Sequence, residues 1–417
     1  MESRVDDRVR RLMERGVVIP DPKTVSIADD VELDLIAPGV TIHPCCRISG
    51  RKTSVMAGTV IGAEAPAVIE DCQIGAGVEL KGGFFKKSVF LERSSMGSGA
   101  HVREACILEE EAGGAHSVGI KHTILLPFVT LGSLVNFCDC LMAGGTSRKD
   151  HSEVGSSYIH FNYTPNQDKA TASLIGDVPR GVMMGERPIF LGGRGGIVGP
   201  SIIAYGTVVA AGTIVRDDIL EAGKLVLDQF PKPEVRDFHP DIYWNTKRLV
   251  RNNVIYIANL IALKAWYRLV RVQFFGQDDF GHALFRGALE KLEMAIAERI
   301  SRLGAVAAKM PESIRRYSEL MKGAVRPIMV AQKQELSENW KRVEDKLAFL
   351  GSSTGDDALR DDFLAEVITG CDTGLGYVKA VQGLDPAVKA KGVDWLEGIV
   401  SSVIDAVFAE IPSYRSA

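Results

Sequence analysis

The sequence predicts a β-solenoid plus all-α fold, in which a left-handed parallel β-helix over residues 26–230 is followed by a C-terminal helical bundle. Glycine is concentrated in the first part, with 29 of the 42 glycines lying before position 226. All four tryptophans lie after position 240. An aliphatic residue followed by glycine recurs through the first part, whereas apolar residues of the second part show helical spacing.

The recurring aliphatic–glycine pair marks a six-residue repeat. It occurs at Ile61-Gly62, Ile74-Gly75, Met96-Gly97, Val118-Gly119, Leu131-Gly132, Val154-Gly155, Ile175-Gly176 and Val198-Gly199. In a hexapeptide β-helix, three repeats form one triangular coil, with the aliphatic residue pointing inward and small residues at the corners. Roughly nine to ten coils of about 18 residues would fill 40–220. Ordinary parallel strands would need connecting helices, for which 40–215 offers few candidates.

The second part, 231–417, reads as an α-helical domain after a proline-bearing linker. Helical spacing begins near residue 249, and further helices are predicted over 280–303, 311–350, 357–370 and 386–411. A helical lead-in is expected within 1–25. We find no chemical motif in the helical domain, and we expect it to cap an otherwise exposed end of the β-helix.

Composition places the protein among soluble globular chains of the cytoplasm. The formal net charge is −4, which gives no overall attraction to nucleic acid or to an anionic membrane. Seven cysteines in no even framework favour a reducing compartment, and the charged N-terminus does not resemble a signal peptide. The uncharged stretch 195–215 contains five glycines and a proline, which favours strands over a membrane helix.

One stretch of the β-helix resembles a known family. VGSSYIHFNY (154–163), LIGDV (174–178) and VVAAGTIVRDDI (208–219) are similar to coils of the hexapeptide-repeat acyltransferases. The resemblance is to the acetyltransferase half of the bacterial bifunctional UDP-N-acetylglucosamine pyrophosphorylase/glucosamine-1-phosphate acetyltransferases. It implies a homotrimer, an inter-subunit cleft, acetyl-CoA or another acyl-CoA as donor, and a sugar phosphate or UDP-sugar as ligand. The Gly-rich loop needed for uridylyl transfer is missing.

The resemblance also implies roles for individual residues. Asn162 and Tyr163 match the pair that contacts the sugar phosphate, and an amide and a phenol can bind hydroxyls and phosphate without fixed charge. Lys169 lies one position from a phosphate-binding lysine of the family. Ala210 and Ala211 fall where the family lays the pantetheine arm along small side chains.

Several family positions are not kept. The general-base histidine aligns with Phe137, which cannot accept a proton, and a lysine pair aligns with Leu125 and Leu126. His151 and His160 flank the inserted loop near the Asn-Tyr pair, and we consider both as replacement catalytic groups. The alternative is that both are ordinary loop or packing residues.

A basic cluster surrounds the same loop. Its members are Arg148, Lys149, Arg180, Arg187 and Arg194. Guanidinium groups bind phosphates through paired hydrogen bonds, so we predict Arg148 and Arg187 as substrate-binding residues. A solvated charged face explains the cluster equally well.

A zinc site is the remote alternative. His116 and His122 are six residues apart, and His101 lies on a neighbouring coil. β-Helix carbonic anhydrases bind zinc with three histidines from such faces, but their histidine spacing is not reproduced here, so we expect no metal. Cys138 and Cys140 form a lone C-x-C that indicates small buried residues.

Three function classes remain open at this point. The first is an acyltransferase acting on a nucleotide- or phosphate-linked amino sugar. The second is a protein that binds a sugar nucleotide without catalysis. The third is a scaffold in which the helical domain recruits a partner.

Overall fold

The computed structural model describes residues 5–227, 234–370 and 373–415. It contains a parallel β-solenoid followed by a region of α-helices, which confirms the predicted fold class. The predicted boundary at 230 lies outside the described residues. The solenoid has three faces, here called face 1, face 2 and face 3 in the order in which each coil passes through them.

Face 1 is a ten-stranded parallel sheet. Its strands are Thr41–Ile42, Val60–Ile61, Glu79–Leu80, Ser95–Met96, Gly113–Gly114, Thr130–Leu131, Glu153–Val154, Phe190–Leu191, Val208–Val209 and Leu225–Val226. Two-residue strands are what a hexad permits, because the chain must turn a corner every six residues.

Face 2 has a six-stranded and a three-stranded part, joined by single bridges through Asn136. Its strands are Ser26–Ile27, Arg47–Ser49, Ala67–Glu70, Gly83–Lys86, Ala100–Val102, Gly119–Ile120, Ile159–Phe161, Gly196–Val198 and Ile214–Val215. The eight strands of face 3 are Ser54–Val55, Gln73–Ile74, Ser88–Phe90, Cys106–Leu108, Ile124–Leu125, Cys140–Met142, Ser173–Ile175 and Ile202–Ile203.

The interior of the solenoid follows the predicted sixfold pattern, with one shift of register. The aliphatic residues of most aliphatic–glycine pairs are fully buried, among them Ile61, Met96 and Leu131. In the late coils the buried column is Ile197, Ile203, Val209 and Val215. The repeat predicted that Val198 points inward, but the inward-pointing residue is its neighbour Ile197.

Three insertions interrupt the regular coils. A hairpin of Gly145–Ser147 and Asp150–His151 is the antiparallel pair among the described strands, and it leads from face 3 to face 1. A loop over 162–172 leads from face 2 to face 3 one coil later. Helix α2 (Val178–Gly181) lies in the next connection to face 1. All three insertions lie in the stretch that the sequence singled out.

The remaining helices comprise α1 before the solenoid and six helices in the described part of 234–415. Helix α1 is Asp7–Glu14, and it packs Val9 and Leu12 over the first coils. The later helices are α3 (Lys247–Leu269), α4 (Asp279–Met321), α5 (Pro327–Leu350), α6 (Asp357–Gly370), α7 (Tyr377–Gln382) and α8 (Pro386–Glu410). Short 3₁₀ turns are Leu33–Leu35, Arg271–Gln273, Thr373–Leu375 and Pro412–Tyr414.

The helix boundaries near 303–350 differ from the prediction. Residues 280–303 and 311–321 belong to one 43-residue helix, and Pro311 lies inside it. The chain breaks instead at Lys322, whose φ of 43° is left-handed, and helix α5 starts at Pro327. A proline in the first turn of α5 is favourable because its missing N–H has no partner there in any case.

The helical region covers face 3 along the solenoid. Helix α4 contacts four strands of face 3. Three ion pairs join the helical region to the solenoid, at Lys52–Glu290, Glu109–Arg271 and Asp139–Arg299, with N–O distances of 2.9, 3.2 and 2.7 Å. Faces 1 and 2 are left uncovered by these helices. The expectation of a cap at the solenoid end alone is therefore incomplete.

No helix among the described residues is long and apolar enough to cross a membrane. The stretch 195–215 forms four short strands, as its glycines predicted. The six described cysteines carry free thiols, and Cys371 lies outside the described residues.

Candidate functional site

The predicted site residues lie at three different corners of the triangular solenoid. Asn162, Tyr163 and Lys169 belong to the loop between faces 2 and 3. Arg148, His151 and Arg187 precede strands of face 1, at the corner between faces 3 and 1. Ala210 and Ala211 follow a face 1 strand, at the corner between faces 1 and 2. Within one chain, the structure therefore brings His151 to the same corner as the two predicted substrate-binding arginines, but not to the Asn162 loop or to the two alanines.

His160 points into the solenoid and is 1% exposed. Its Nε2 lies 2.8 Å from Ser173 Oγ, and its ring makes an edge contact with Phe137. Phe137 is itself fully buried, so the family's base position, as aligned, is an interior position in this chain. The predicted catalytic role of His160 does not fit this geometry, because a substrate outside the solenoid cannot reach its nitrogen atoms.

Burial of His160 predicts a loss of stability in acid. Burial lowers the pKa of His160 to about 4, whereas an unfolded histidine titrates near 6.5. The unfolded chain therefore binds more protons between these values, and stability falls as the pH drops below 6.5. We expect this residue to account for about 2 kcal/mol of unfolding free energy lost between pH 7 and 4.5. Urea unfolding at both pH values, with His160→Gln showing a smaller loss, measures this contribution; equal losses in both proteins would contradict it.

Asn162, Tyr163 and Lys169 do stay together. The Tyr163 ring is 58% exposed, and Lys169 Nζ lies 6.0 Å from its centroid. Asn162 is half-buried and its Nδ2 donates to Asp139 Oδ2 at 2.6 Å. This loop therefore presents an aromatic ring, an amide and a cation at one corner, as a sugar-phosphate site requires.

Arg148 is engaged in the protein itself. Its Nη1 donates to the carbonyl oxygens of Glu111 and Phe128 at 3.1 Å each, and to Thr130 Oγ1 at 2.7 Å. These bonds fasten the hairpin to face 1. That Arg148 binds substrate stays a prediction, because these bonds use only Nη1 of its guanidinium.

His151 and Arg187 lie on the same corner as Arg148. His151 is half-buried with Nε2 3.9 Å from Glu153 Oε2, and Glu153 faces outward on face 1. The exposed Arg187 lies against the backbone of Gly206 and Gly223, where an added Cβ would lie 2.9 and 2.6 Å from its guanidinium. Glycine at these corners therefore makes room for the arginine, which is free to meet an anion.

Ala210 and Ala211 belong to a column of small residues at the corner between faces 1 and 2. A Cβ added at Gly192 would lie 2.4 Å from Ala211 N, and one at Gly155 would lie 2.3 Å from Gly193 N. Successive coils therefore stack backbone on backbone here. We call this column the small-residue corner; its members are Ala115, Gly132, Gly155, Gly192 and Ala210 with the residues that follow each of them.

A polar pair at the small-residue corner was not predicted from the sequence. His116 Nδ1 lies 2.9 Å from Ser133 Oγ, and the imidazole is exposed. The two residues follow Ala115 and Gly132, so they occupy equivalent positions in successive coils. The signal was present in the repeat itself, because aligning GAHS with LGSL coil on coil places the histidine next to the serine.

The zinc hypothesis is not supported. His101 and His116 are exposed on face 2 and at the small-residue corner, whereas His122 is half-buried beside Glu298 of helix α4. No group of three or more His, Cys, Asp or Glu side chains suited to a metal ion occurs among the described residues. Cys138 and Cys140 are both buried.

Large apolar side chains are exposed on both faces beside the small-residue corner. They are Leu134, Ile159, Phe161, Phe190, Val208 and Leu225, each at least 40% exposed. Face 3 shows no such set because the helices cover it. Exposed apolar patches of this kind indicate an interaction surface.

Comparison with known proteins agrees with the fold. Bifunctional protein GlmU from Thermotoga petrophila is 28% identical over 212 residues, which are 51% of this chain and 42% of that protein. The solenoid is similar to GlmU. The Kineococcus radiotolerans GlmU is 30% identical over 224 residues, 54% of this chain and 40% of its own length. This chain thus spans about two fifths of the length of the curated GlmU relatives it matches.

The solenoid thus resembles a hexapeptide-repeat β-helix of GlmU, as the quoted motifs indicated. No protein-family model matches the chain. LpxA from Acinetobacter baumannii is 16% identical and covers 49% of this chain and 66% of its own length, with a TM-score of 0.17. A superposition of that quality supports no argument about fold or function.

Proposed function

We propose that this protein transfers an acyl group from acyl-CoA to the amine of a nucleotide- or phosphate-linked amino sugar. The single observation that carries this proposal is the exposed His116–Ser133 pair at the small-residue corner. The similarity to GlmU supports the substrate class. The cofactor, acceptor and site residues named below belong to this proposal.

His116 is assigned as the general base. When its Nδ1–H donates to Ser133 Oγ, the lone pair of Nε2 remains available at the surface, which is the state that a base requires. The amine nitrogen of the sugar attacks the thioester carbonyl, the N–C bond forms and the C–S bond breaks. The amine proton passes to His116 Nε2 and then to the departing CoA thiolate, so protons and charge balance.

The small-residue corner suits the acyl donor. Four inter-strand steps separate Ala115 from Ala210, a distance of about 19 Å at the usual strand spacing. An extended pantetheine arm fits along a surface of mostly small side chains, and Ala210 and Ala211 would lie beside its distal part. Arg187 at the neighbouring corner offers a free cation for a phosphate.

The acceptor is assigned to Asn162, Tyr163 and Lys169, which lie at a different corner from His116. A complete site therefore needs two copies of the chain, with the small-residue corner of one facing the Asn162 loop of the other. The exposed apolar residues beside the corner would form the contact. We expect a trimer, and light scattering on the purified chain should give three times the mass of one chain; a monomer at micromolar concentration would contradict the shared site.

Release of CoA thiol is the direct test of the activity. Acetyl-CoA is incubated with the full chain and either glucosamine 1-phosphate or a UDP-sugar that carries a free amine, and thiol is measured colorimetrically. Thiol release that depends on both the protein and an amino sugar supports the proposal. Longer acyl-CoA donors are included, and if no donor–acceptor pair releases thiol above background, the acyltransferase proposal is wrong.

The non-catalytic alternative has one observation in its favour. His160, the histidine nearest to Asn162 in sequence, is sealed inside the solenoid. A protein that only binds sugar nucleotides would bind UDP-N-acetylglucosamine without releasing thiol in the same assay. Thermal stabilisation by that ligand, lost in Tyr163→Ala, identifies this case.

A further inference from the structure

A buried ion pair links the helical region to Asn162. Arg299 of helix α4 is 1% exposed, and its Nη2 donates to Asp139 Oδ1 at 2.7 Å. The other carboxylate oxygen, Asp139 Oδ2, accepts from Asn162 Nδ2 at 2.6 Å. One carboxylate therefore bridges the guanidinium of the helix and the amide of the loop.

The chemistry of this bridge fixes the orientation of the Asn162 amide. A carboxylate paired with a buried guanidinium is ionised, and an ionised carboxylate only accepts hydrogen bonds. Asn162 must therefore direct its NH₂ group toward Asp139. Its Oδ1 then faces away from Asp139, and within the described residues it accepts no hydrogen bond.

The same helices hold the backbone of the loop. Arg299 Nη1 donates to Lys169 O at 3.2 Å, and Asn253 Nδ2 of helix α3 donates to Ala170 O at 2.8 Å. Tyr243 donates its hydroxyl to Asp168 Oδ2 at 3.0 Å. The loop that carries the proposed acceptor site is thus positioned by residues from outside the solenoid.

We propose that Arg299 is a positioning residue, which acts through Asp139 to make the Asn162 amide present its oxygen to the ligand. This inference rests on the proposed function and extends it to the helical region. The amide oxygen selects a hydrogen-bond donor, so the group that this oxygen recognises is a sugar hydroxyl or amine and not a phosphate oxygen.

The test compares two ligands that differ in the sugar. Titration calorimetry on the full chain gives the dissociation constants of UDP-N-acetylglucosamine and of UDP, and their ratio measures the preference for the sugar. Asp139→Asn combined with Arg299→Gln removes both buried charges without leaving one unpaired, and it frees the Asn162 amide to rotate. We expect the preference to fall about tenfold, the loss of one good ligand hydrogen bond.

Two single variants complete the series. Arg299→Lys keeps the charge that holds Asp139 ionised, so we expect it to retain the preference, and it also serves if the double variant does not fold. Arg302→Gln is the matched control one turn away, because among the described residues Arg302 pairs only with the half-buried Glu298, at 2.8 Å, and does not bond to the loop. We expect it to retain the preference too.

Each outcome decides the inference. A double variant that keeps the preference, or that weakens both ligands equally, shows that Arg299 has a structural role only, and overturns it. Arg299→Lys could also lose the preference for UDP-N-acetylglucosamine over UDP and bind the sugar ligand as weakly as Asn162→Ala does. That result would show that charge alone does not fix the orientation of the amide, and it would also overturn the inference. If the unmodified chain binds neither ligand, the nucleotide-linked form of the proposed function fails, and the positioning role for that ligand fails with it.

Discussion

Arg271→Met is expected to lower the free energy of unfolding by about 3–5 kcal/mol, the cost of leaving buried charge without a partner. Arg271 is 1% exposed, and its Nη1 lies 3.2 Å from Glu109 Oε2 and 3.0 Å from Glu110 Oε2. Its guanidinium carbon also lies 3.7 Å from the Tyr377 ring centroid. The substitution removes the cation that both carboxylates face.

This loss of unfolding free energy should come from the buried carboxylates that are left without a cation. Burial raises the pKa of Glu109, so part of the penalty would be avoided by protonation, and we expect the variant to be more stable relative to wild type in mild acid. Arg268→Met is the matched control, because Arg268 is exposed at the end of helix α3, just before the 3₁₀ turn that carries Arg271. We expect its effect to stay within about 0.5 kcal/mol.

Urea unfolding, followed by circular dichroism of the helices and by fluorescence, measures the free energy of unfolding of both variants. Adding Glu109→Gln and Glu110→Gln to Arg271→Met should restore much of the lost stability, because no charge is then buried. A loss below about 1 kcal/mol for Arg271→Met would show that water or another group reaches the carboxylates. It would also weaken the conclusion that the helical region is docked firmly on face 3.

His116→Gln is expected to lower kcat for acyl transfer by about 10²–10⁴-fold, the usual contribution of a positioned base. Glutamine keeps the size and a hydrogen bond to Ser133 but cannot take the proton from the amine. The KM for acyl-CoA should change little, because the variant keeps the surface along which the acyl donor lies. Ser133→Ala should have a smaller effect, since it removes only the group that orients the imidazole.

His101→Gln is the matched control for this prediction. His101 is also exposed, on face 2, and its ring packs against Phe84 at a centroid distance of 5.2 Å. Stability by urea unfolding should be unchanged in both variants, because neither imidazole is buried. Equal kcat values for His116→Gln and wild type would show that His116 does not act as the base.

The fold was predictable because hexads are a local pattern. Each aliphatic–glycine pair specifies one buried position and one tight corner, so Ile61, Met96 and Leu131 were placed correctly from sequence alone. The docking of helices on face 3 was not predictable in this way. It depends on pairs such as Asp139–Arg299 that are 160 residues apart in sequence.

The candidate site was less predictable than the fold. Neighbours along the chain, such as His160 and Asn162, point to the inside and the outside of the same coil. Neighbours across coils, such as His116 and Ser133, are separated in sequence and become visible only when the coils are aligned. The register also depends on insertions, which is why Phe137 was aligned with a surface base although it lies in the interior.

Binding of CoA at the small-residue corner tests the central claim most directly. Ala211 is exposed at the small-residue corner, so Ala211→Trp should leave the free energy of unfolding unchanged. The indole of the new side chain should block the surface along which CoA would lie. Titration calorimetry with CoA, which cannot react, should show saturable binding to the wild-type chain and none to Ala211→Trp. No binding to the wild type, or equal binding to both, would contradict an acyl-CoA site at this corner.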